Sequence, residues 1–179
     1  MATATRFTIE DLERLPDELA HHHELVDGEL IDVSGNTPRH NLLRDRLLAA
    51  LLAWAKTAGE GTVLAEQAYD FQGNAHGPDV SWFSGAKRGL LDLDKRVQRF
   101  VPDLAIEVAS ESATYNAMLR KTDRYRRSGT PEVWIVSLPT HEITVYSGAG
   151  IRIAGTGDVI SSPLLPGLTI AVGEVFEGL

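Results

Sequence analysis

Apolar and polar positions alternate in short blocks along most of this chain, and few stretches carry the longer repeat of a helix. From His40 to about Lys56, Leu43, Leu47, Leu48, Leu51, Leu52 and Ala55 recur at helical spacing and predict the longest helix. Thr114 to Ser128 also reads as helical, closed by Gly129. A shorter helix opens on Thr8, with Asp11 three residues on as a capping partner, and stops before Pro16. The remainder reads as strands and turns. Asp27-Gly28, between Glu24-Leu25-Val26 and Leu30-Ile31-Asp32-Val33, predicts a hairpin over residues 22–34. Residues 62–71 predict one strand, Gly73 to Gly77 a turn, and Pro78 to Phe83 a second short strand. Residues 84–101 predict a loop with a helical turn. From Asp103 to Ala109 one strand face carries Leu104, Ile106 and Val108, and the other carries Asp103, Ala105, Glu107 and Ala109. Strands at Glu132–Ser137 and Glu142–Tyr146 follow, and short strands finish the chain. Strands outnumber helices, so the class is α/β or α+β around a mixed sheet.

That pattern singles out a few polar residues. Asp79 opens a strand directly after a glycine-containing turn, and Glu107 sits in the middle of an otherwise apolar strand. An ionised carboxylate there costs several kcal/mol unless a metal ion, a lysine or an arginine pairs with it, or the strand lies at a sheet edge. Lys121, Arg124, Tyr125 and Ser128 share one face of the second helix. That face either turns toward Glu107 or forms a basic, solvated surface. Asp103 lies four strand residues from Glu107, ~13 Å away and too far to share one metal, so Asp79 is the preferred second carboxylate. His21, His22 and His23 are adjacent, and in a strand they point to opposite faces, which disfavours a zinc site.

Composition narrows the classes. A chain of 179 residues, 43% hydrophobic and 23% charged, fits a single globular domain over 1–179. No apolar run approaches the roughly 18 residues of a membrane span, and residues 1–10 do not read as a secretory signal. The absence of cysteine excludes disulfides, thiolate zinc sites and thiol catalysis, and fits a cytoplasmic location. The net charge of −8 argues against a protein that coats nucleic acid. Residues 85–130 nevertheless hold ten basic groups against six acidic ones, a local excess that can attract a polyanion. Arg124 and Arg127 are the expected phosphate contacts in that stretch.

Taken in order, Glu24-Leu25-Val26-Asp27-Gly28-Glu29-Leu30, Pro38 with His40, Pro78-Asp79-Val80, and Pro102 to Val108 make a recognisable series. Lys121 and Tyr125 four residues apart, Gly129 to Val136, and Ser162 to Leu168 complete it. The chain from about residue 7 to residue 177 resembles the Uma-two family of restriction-endonuclease-like proteins, classed with the PD-(D/E)XK nucleases. The resemblance implies a restriction-endonuclease-like mixed central sheet flanked by helices. It also implies a metal-dependent DNA endonuclease, with Asp79 and Glu107 holding Mg²⁺ or Mn²⁺ and Lys121 acting at the attacked phosphate. Glu24 and His40 are implied to lie nearby. The chain departs from the pattern in three places. Ala109 stands where the usual lysine would be, Ser110-Glu111-Ser112 replaces a common proline, and His76-Gly77 replaces a more basic lead-in to Pro78. DNA as substrate and a homodimer are the partners expected by analogy. The competing expectation is a catalytically inactive module of the same fold that binds nucleic acid or a protein.

Overall fold

The computed structural model of the chain describes residues 6–109 and 115–179. Helix α1 (Ile9–Arg14) starts as its sequence dictates. The Thr8 hydroxyl accepts from the Asp11 N–H at 3.2 Å, and the Asp11 carboxylate accepts from the Thr8 N–H at 2.9 Å. After α2 (Asp17–Ala20), strands β1 (His23–Val26) and β2 (Glu29–Asp32) form the expected hairpin, paired from His23↔Asp32 to Val26↔Glu29. Its two turn residues both take positive φ, 52° at Asp27 and 86° at Gly28. A Cβ on Gly28 would meet the Arg6 side chain at 2.8 Å, so glycine is required there.

Helix α3 (Pro38–Ala58) is capped by the Thr37 hydroxyl, which accepts from the His40 N–H, and ends at Gly59 in the left-handed conformation. Then come β3 (Thr62–Ala65), β4 (Ala68–Phe71), β5 (Asn74–His76), β6 (Val80–Phe83), a 3₁₀ turn (Gly85–Leu90), β7 (Val97–Gln98) and β8 (Leu104–Ala109). Helix α4 (Tyr115–Arg127) leads to β9 (Glu132–Ser137), β10 (Glu142–Ser147), β11 (Gly150–Ala154), β12 (Val159–Ser162), β13 (Leu165–Ala171) and α5 (Val172–Val175). Ser110-Glu111-Ser112 and the expected helix start at Thr114 lie outside the described residues.

Two expectations are corrected: Gly73 to Gly77 is not all turn, because Asn74–His76 form β5 between β4 and β1. Residues 62–71 are not one strand but two, because Glu66 takes φ 53° and turns the chain into a different sheet. Arg44 binds the Glu66 carboxylate, and the Gln67 side-chain amide donates to the carbonyls of Ala68 and Arg96, which anchors the break.

The central sheet has the order β11-β10-β9-β8-β6-β3 and is mixed, with β8 and β9 parallel and the other pairs antiparallel. One of its faces carries Val80, Trp82, Leu104, Ile106 and Val108 against Leu43, Leu47 and Leu51 of α3. The other face carries Ala105 and Val133 against Tyr69 and Phe71 of β4 and Tyr125 of α4. A second sheet, β2-β1-β5-β4-β7, therefore shares the second face with α4. Among the described residues, no helix is long and apolar enough to cross a membrane.

Candidate active site

The alternation of β6 and β8 brings two carboxylates together. The strands pair Val80↔Ile106, Ser81↔Ala105 and Trp82↔Leu104. Continued outward by one residue, that register sets Asp79 opposite Glu107, where side chains share a face and Cβ atoms lie ~5 Å apart. Asp79 Oδ2 accepts from the Val108 N–H at 2.7 Å, so Asp79 is tied to the β8 backbone beside Glu107. Trp82 lies on the opposite face, in the core against α3, as its alternation with Asp79 predicts.

Helix α4 turns its polar face inward. Lys121 Nζ lies 2.9 Å from Glu107 Oε1 and 2.9 Å from Glu24 Oε1, joining β8 to β1 of the second sheet. One helical turn on, the buried Tyr125 hydroxyl donates to Glu107 Oε1 at 2.6 Å. Of the two orientations left open for this helix face, the structure has the inward one. His40, at the start of α3, reaches Asp79 from the other side, with Nε2 3.4 Å from Oδ1. The five residues named from the sequence are therefore neighbours, drawn from β1, α3, the β5–β6 turn, β8 and α4. Asp103 is elsewhere, held by the Ser84 N–H and by Lys87 at 2.6 Å.

Of the further members of this cluster, His76 was not singled out from the sequence as a site residue, and Arg124 was expected to contact phosphate. His76 Nδ1 contacts Glu24 Oε2 at 2.8 Å, and Arg124 contacts both His76 Nε2 at 3.0 Å and the Asp27 carboxylate at 2.9 Å. Arg124 is thus engaged inside the protein, whereas Arg120, Arg126 and Arg127 are the exposed arginines of α4. A signal for His76 was present: it stands three residues before Asp79, at the point where the chain departs from the family pattern.

The electrostatics follow from two carboxylates, Glu107 and Glu24, sharing one ammonium with the charge of Asp79 close by. Burial pushes the Glu107 carboxyl up, Lys121 opposes it, and the charges of Asp79 and Glu24 add to the rise, which reaches about 7. Burial also works against Glu24, but Lys121 and His76 outweigh it and bring that carboxyl down to about 2. Lys121 is raised despite burial, by Glu107 and Glu24. His40 is raised as well, because its contact with Asp79 outweighs burial. Burial lowers His76, and Glu24 only partly restores it.

Among the described residues, no group of three or more His, Cys, Asp or Glu side chains gathers as a metal cage. Two carboxylates with surplus negative charge suit a different kind of ion. Mg²⁺ takes hard oxygen ligands, is content with one or two carboxylates and keeps most of its waters. Asp79 and Glu107 fit that requirement, and 12% and 8% of their side chains remain open to solvent.

Comparison with known proteins adds to this. The model of the Uma2 family, described as "Putative restriction endonuclease", matches residues 9–173. The fold is similar to that of a solved protein from Anabaena variabilis ATCC 29413, titled "a putative nuclease belonging to DUF820". The two share 16% sequence identity at a TM-score of 0.82, over 95% of this chain and 97% of the other. None of the curated proteins matches.

Proposed function

Because the chain belongs to the Uma2 family, we propose that it is a metal-dependent DNA endonuclease that hydrolyses phosphodiester bonds, with Asp79, Glu107 and Lys121 as its working groups. The observation that carries this reading is the position of Lys121 Nζ, within 3.0 Å of Glu107 on the carboxylate-bearing face of β8. Ala109 leaves the strand position for a lysine empty, and the helix supplies an ammonium in its place.

Asp79 and Glu107 would hold Mg²⁺ or Mn²⁺, whose chemistry here is charge neutralisation at the scissile phosphate and a lowered pKa for water. Lys121 donates to a phosphate oxygen as negative charge builds there. Glu24 keeps the Lys121 ammonium in place while Glu107 is engaged elsewhere. Tyr125 fixes one oxygen of Glu107, and the Val108 N–H and His40 fix the two oxygens of Asp79, so the carboxylates are oriented before substrate arrives. The exposed arginines of α4 suit the DNA backbone. A cytoplasmic homodimer, pairing two sites for two strands, completes the proposal and is tested by sedimentation.

The test is incubation of supercoiled, linear and single-stranded DNA with the protein in Mg²⁺ or Mn²⁺, against EDTA. Cleavage should require the metal and disappear in Asp79→Asn. Equal cleavage by the variant, or none on any DNA form, overturns the reading. The acidic net charge of −8 favours a second reading, a catalytically inactive module that binds nucleic acid or a protein. DNA binding without cleavage would support it.

A further inference from the structure

A line of contacts runs inward from the β1–β2 turn to the acid at the centre of the site. Asp27 binds Arg124, Arg124 meets His76 Nε2 at 3.0 Å, and His76 Nδ1 meets Glu24 Oε2 at 2.8 Å. The chemistry of the two end partners fixes the ring between them. A guanidinium only donates, so His76 Nε2 must present a lone pair to Arg124. A carboxylate only accepts, so Nδ1 must carry the proton toward Glu24. The other neutral tautomer would face a lone pair to the carboxylate and an N–H to the guanidinium. A doubly protonated ring would still set two donors against each other at Arg124. The ring is 3% exposed and lies edge-on to Tyr125 at 5.7 Å, so it cannot turn to water to relieve either conflict.

We infer that His76 is a positioning residue, locked by Arg124 as the neutral Nδ1–H tautomer, and that this lock holds Glu24 in the orientation that keeps Lys121 on Glu107. Glu24 has no freedom left once His76 is in place. Its Oε2 takes the His76 N–H, and its Oε1 takes the Gly77 N–H at 3.1 Å and Lys121 at 2.9 Å. Neither His76 nor Arg124 touches Asp79 or Glu107 through these bonds; both act through Glu24. Asp27 supplies the counter-charge for Arg124, which gives the strict Asp27-Gly28 turn a role in the site as well as in the hairpin.

The inference rests on the proposed function for its catalytic consequence but not for its structural one, and the test separates them. Long-range ¹H–¹⁵N correlation spectra of the ¹⁵N-histidine-labelled protein read the tautomer directly. His76 should show a protonated Nδ1 and an unprotonated Nε2 at pH 6 and pH 8 alike, and Arg124→Met should remove that fixed pattern. An Nε2–H ring in the unsubstituted protein overturns the inference whether or not DNA is cut. For cleavage, His76→Gln should lower kcat about 10–100-fold with KM little changed, the usual cost of a lost outer contact. His76→Asn, whose amide N–H lies nearer the place of Nδ1–H, should recover most of the loss. Equal losses in the two variants overturn the positioning role. If the unsubstituted protein cuts no DNA, the proposed function fails and the spectra still decide the tautomer.

Discussion

Replacing Glu107 by Gln should raise the stability of the protein relative to the unsubstituted one as the pH climbs, while destroying its proposed activity. Glu107 is buried among like charges, and its carboxyl is raised from the ordinary 4.5 to about 7. A group whose folded pKa exceeds its unfolded one favours the folded state when protonated. That contribution is fully present below pH ~4.5 and is lost as the pH rises through ~7. At ~1.4 kcal/mol per tenfold change in proton affinity, the loss is about 3 kcal/mol by pH 8.5. Gln does not titrate and keeps the size of the protonated acid, so the variant escapes it. Its constant gains and losses against Lys121 and Tyr125 are the same at both ends of the range and cancel in the difference. The assay is urea unfolding of both proteins at pH 4.5 and pH 8.5. The stability of Glu107→Gln relative to the unsubstituted protein should climb by about 3 kcal/mol between the two. A difference that stays flat, or falls, means that Lys121 and Tyr125 hold Glu107 ionised in the ordinary range and that the surplus-charge account of the site is wrong.

Lys121→Ala should abolish metal-dependent cleavage and cost about 3–5 kcal/mol of stability at pH 8, because it leaves Glu107 and Glu24 without their shared cation. Lys121→Arg should rescue cleavage poorly, since a planar guanidinium does not replace a compact ammonium. Arg120→Ala, exposed on the same helix, is the control and should keep kcat; loss equal to that of Lys121→Ala would remove the lysine from the mechanism. Charge reversal at Arg126 and Arg127 should weaken DNA binding and flatten its salt dependence more than reversal at Lys56, measured by fluorescence anisotropy over a salt series. Arg124→Glu should instead lower the thermal midpoint, because Arg124 is bound to Asp27 and His76; an unchanged midpoint would show those contacts to be idle. Below pH ~4.5 stability should also fall as Glu24 takes up protons, because its folded carboxyl lies near 2 and its contribution exists only above the unfolded value. Glu24→Gln should be less stable than the unsubstituted protein at pH 7 and approach it near pH 3 in urea titrations.

Much of this arrangement was legible because strands write their faces into the sequence. The alternation that puts Leu104, Ile106 and Val108 in one core leaves Glu107 on the other face. The same period in β6 separates Asp79 from Trp82. Where the period is interrupted by backbone geometry, the sequence is silent: nothing in residues 62–71 announces that Glu66 turns left-handed and sends β4 to a second sheet. That second sheet matters to the site, since it carries Glu24 and His76 to α4.

The inward face of α4 shows where local pattern stops being informative. Lys121, Arg124 and Tyr125 at i, i+3 and i+4 describe a basic surface as readily as a catalytic one, and the spacing is identical in both cases. What decides between them is a partner 14 residues back, Glu107, and two more near the start of the chain, Glu24 and Asp27. An apolar helix face would bury itself against Tyr69 and Phe71 without those acids; this face carries a half-buried ammonium and a half-buried guanidinium, which the carboxylates of Glu107, Glu24 and Asp27 hold in place. The orientation of α4 is therefore set by charge pairing across three separate elements, with the stacked rings of Phe71 and Tyr125, 4.1 Å apart, supplying the apolar hinge around which it is held. A helix fixed in that way depends on the acids it serves. Removing Glu24 should accordingly loosen α4 as well as the site, and faster amide exchange at Lys121–Arg127 in Glu24→Ala than in Asp103→Ala would show it. Equal exchange in the two variants would mean that the Tyr125 packing alone orients the helix.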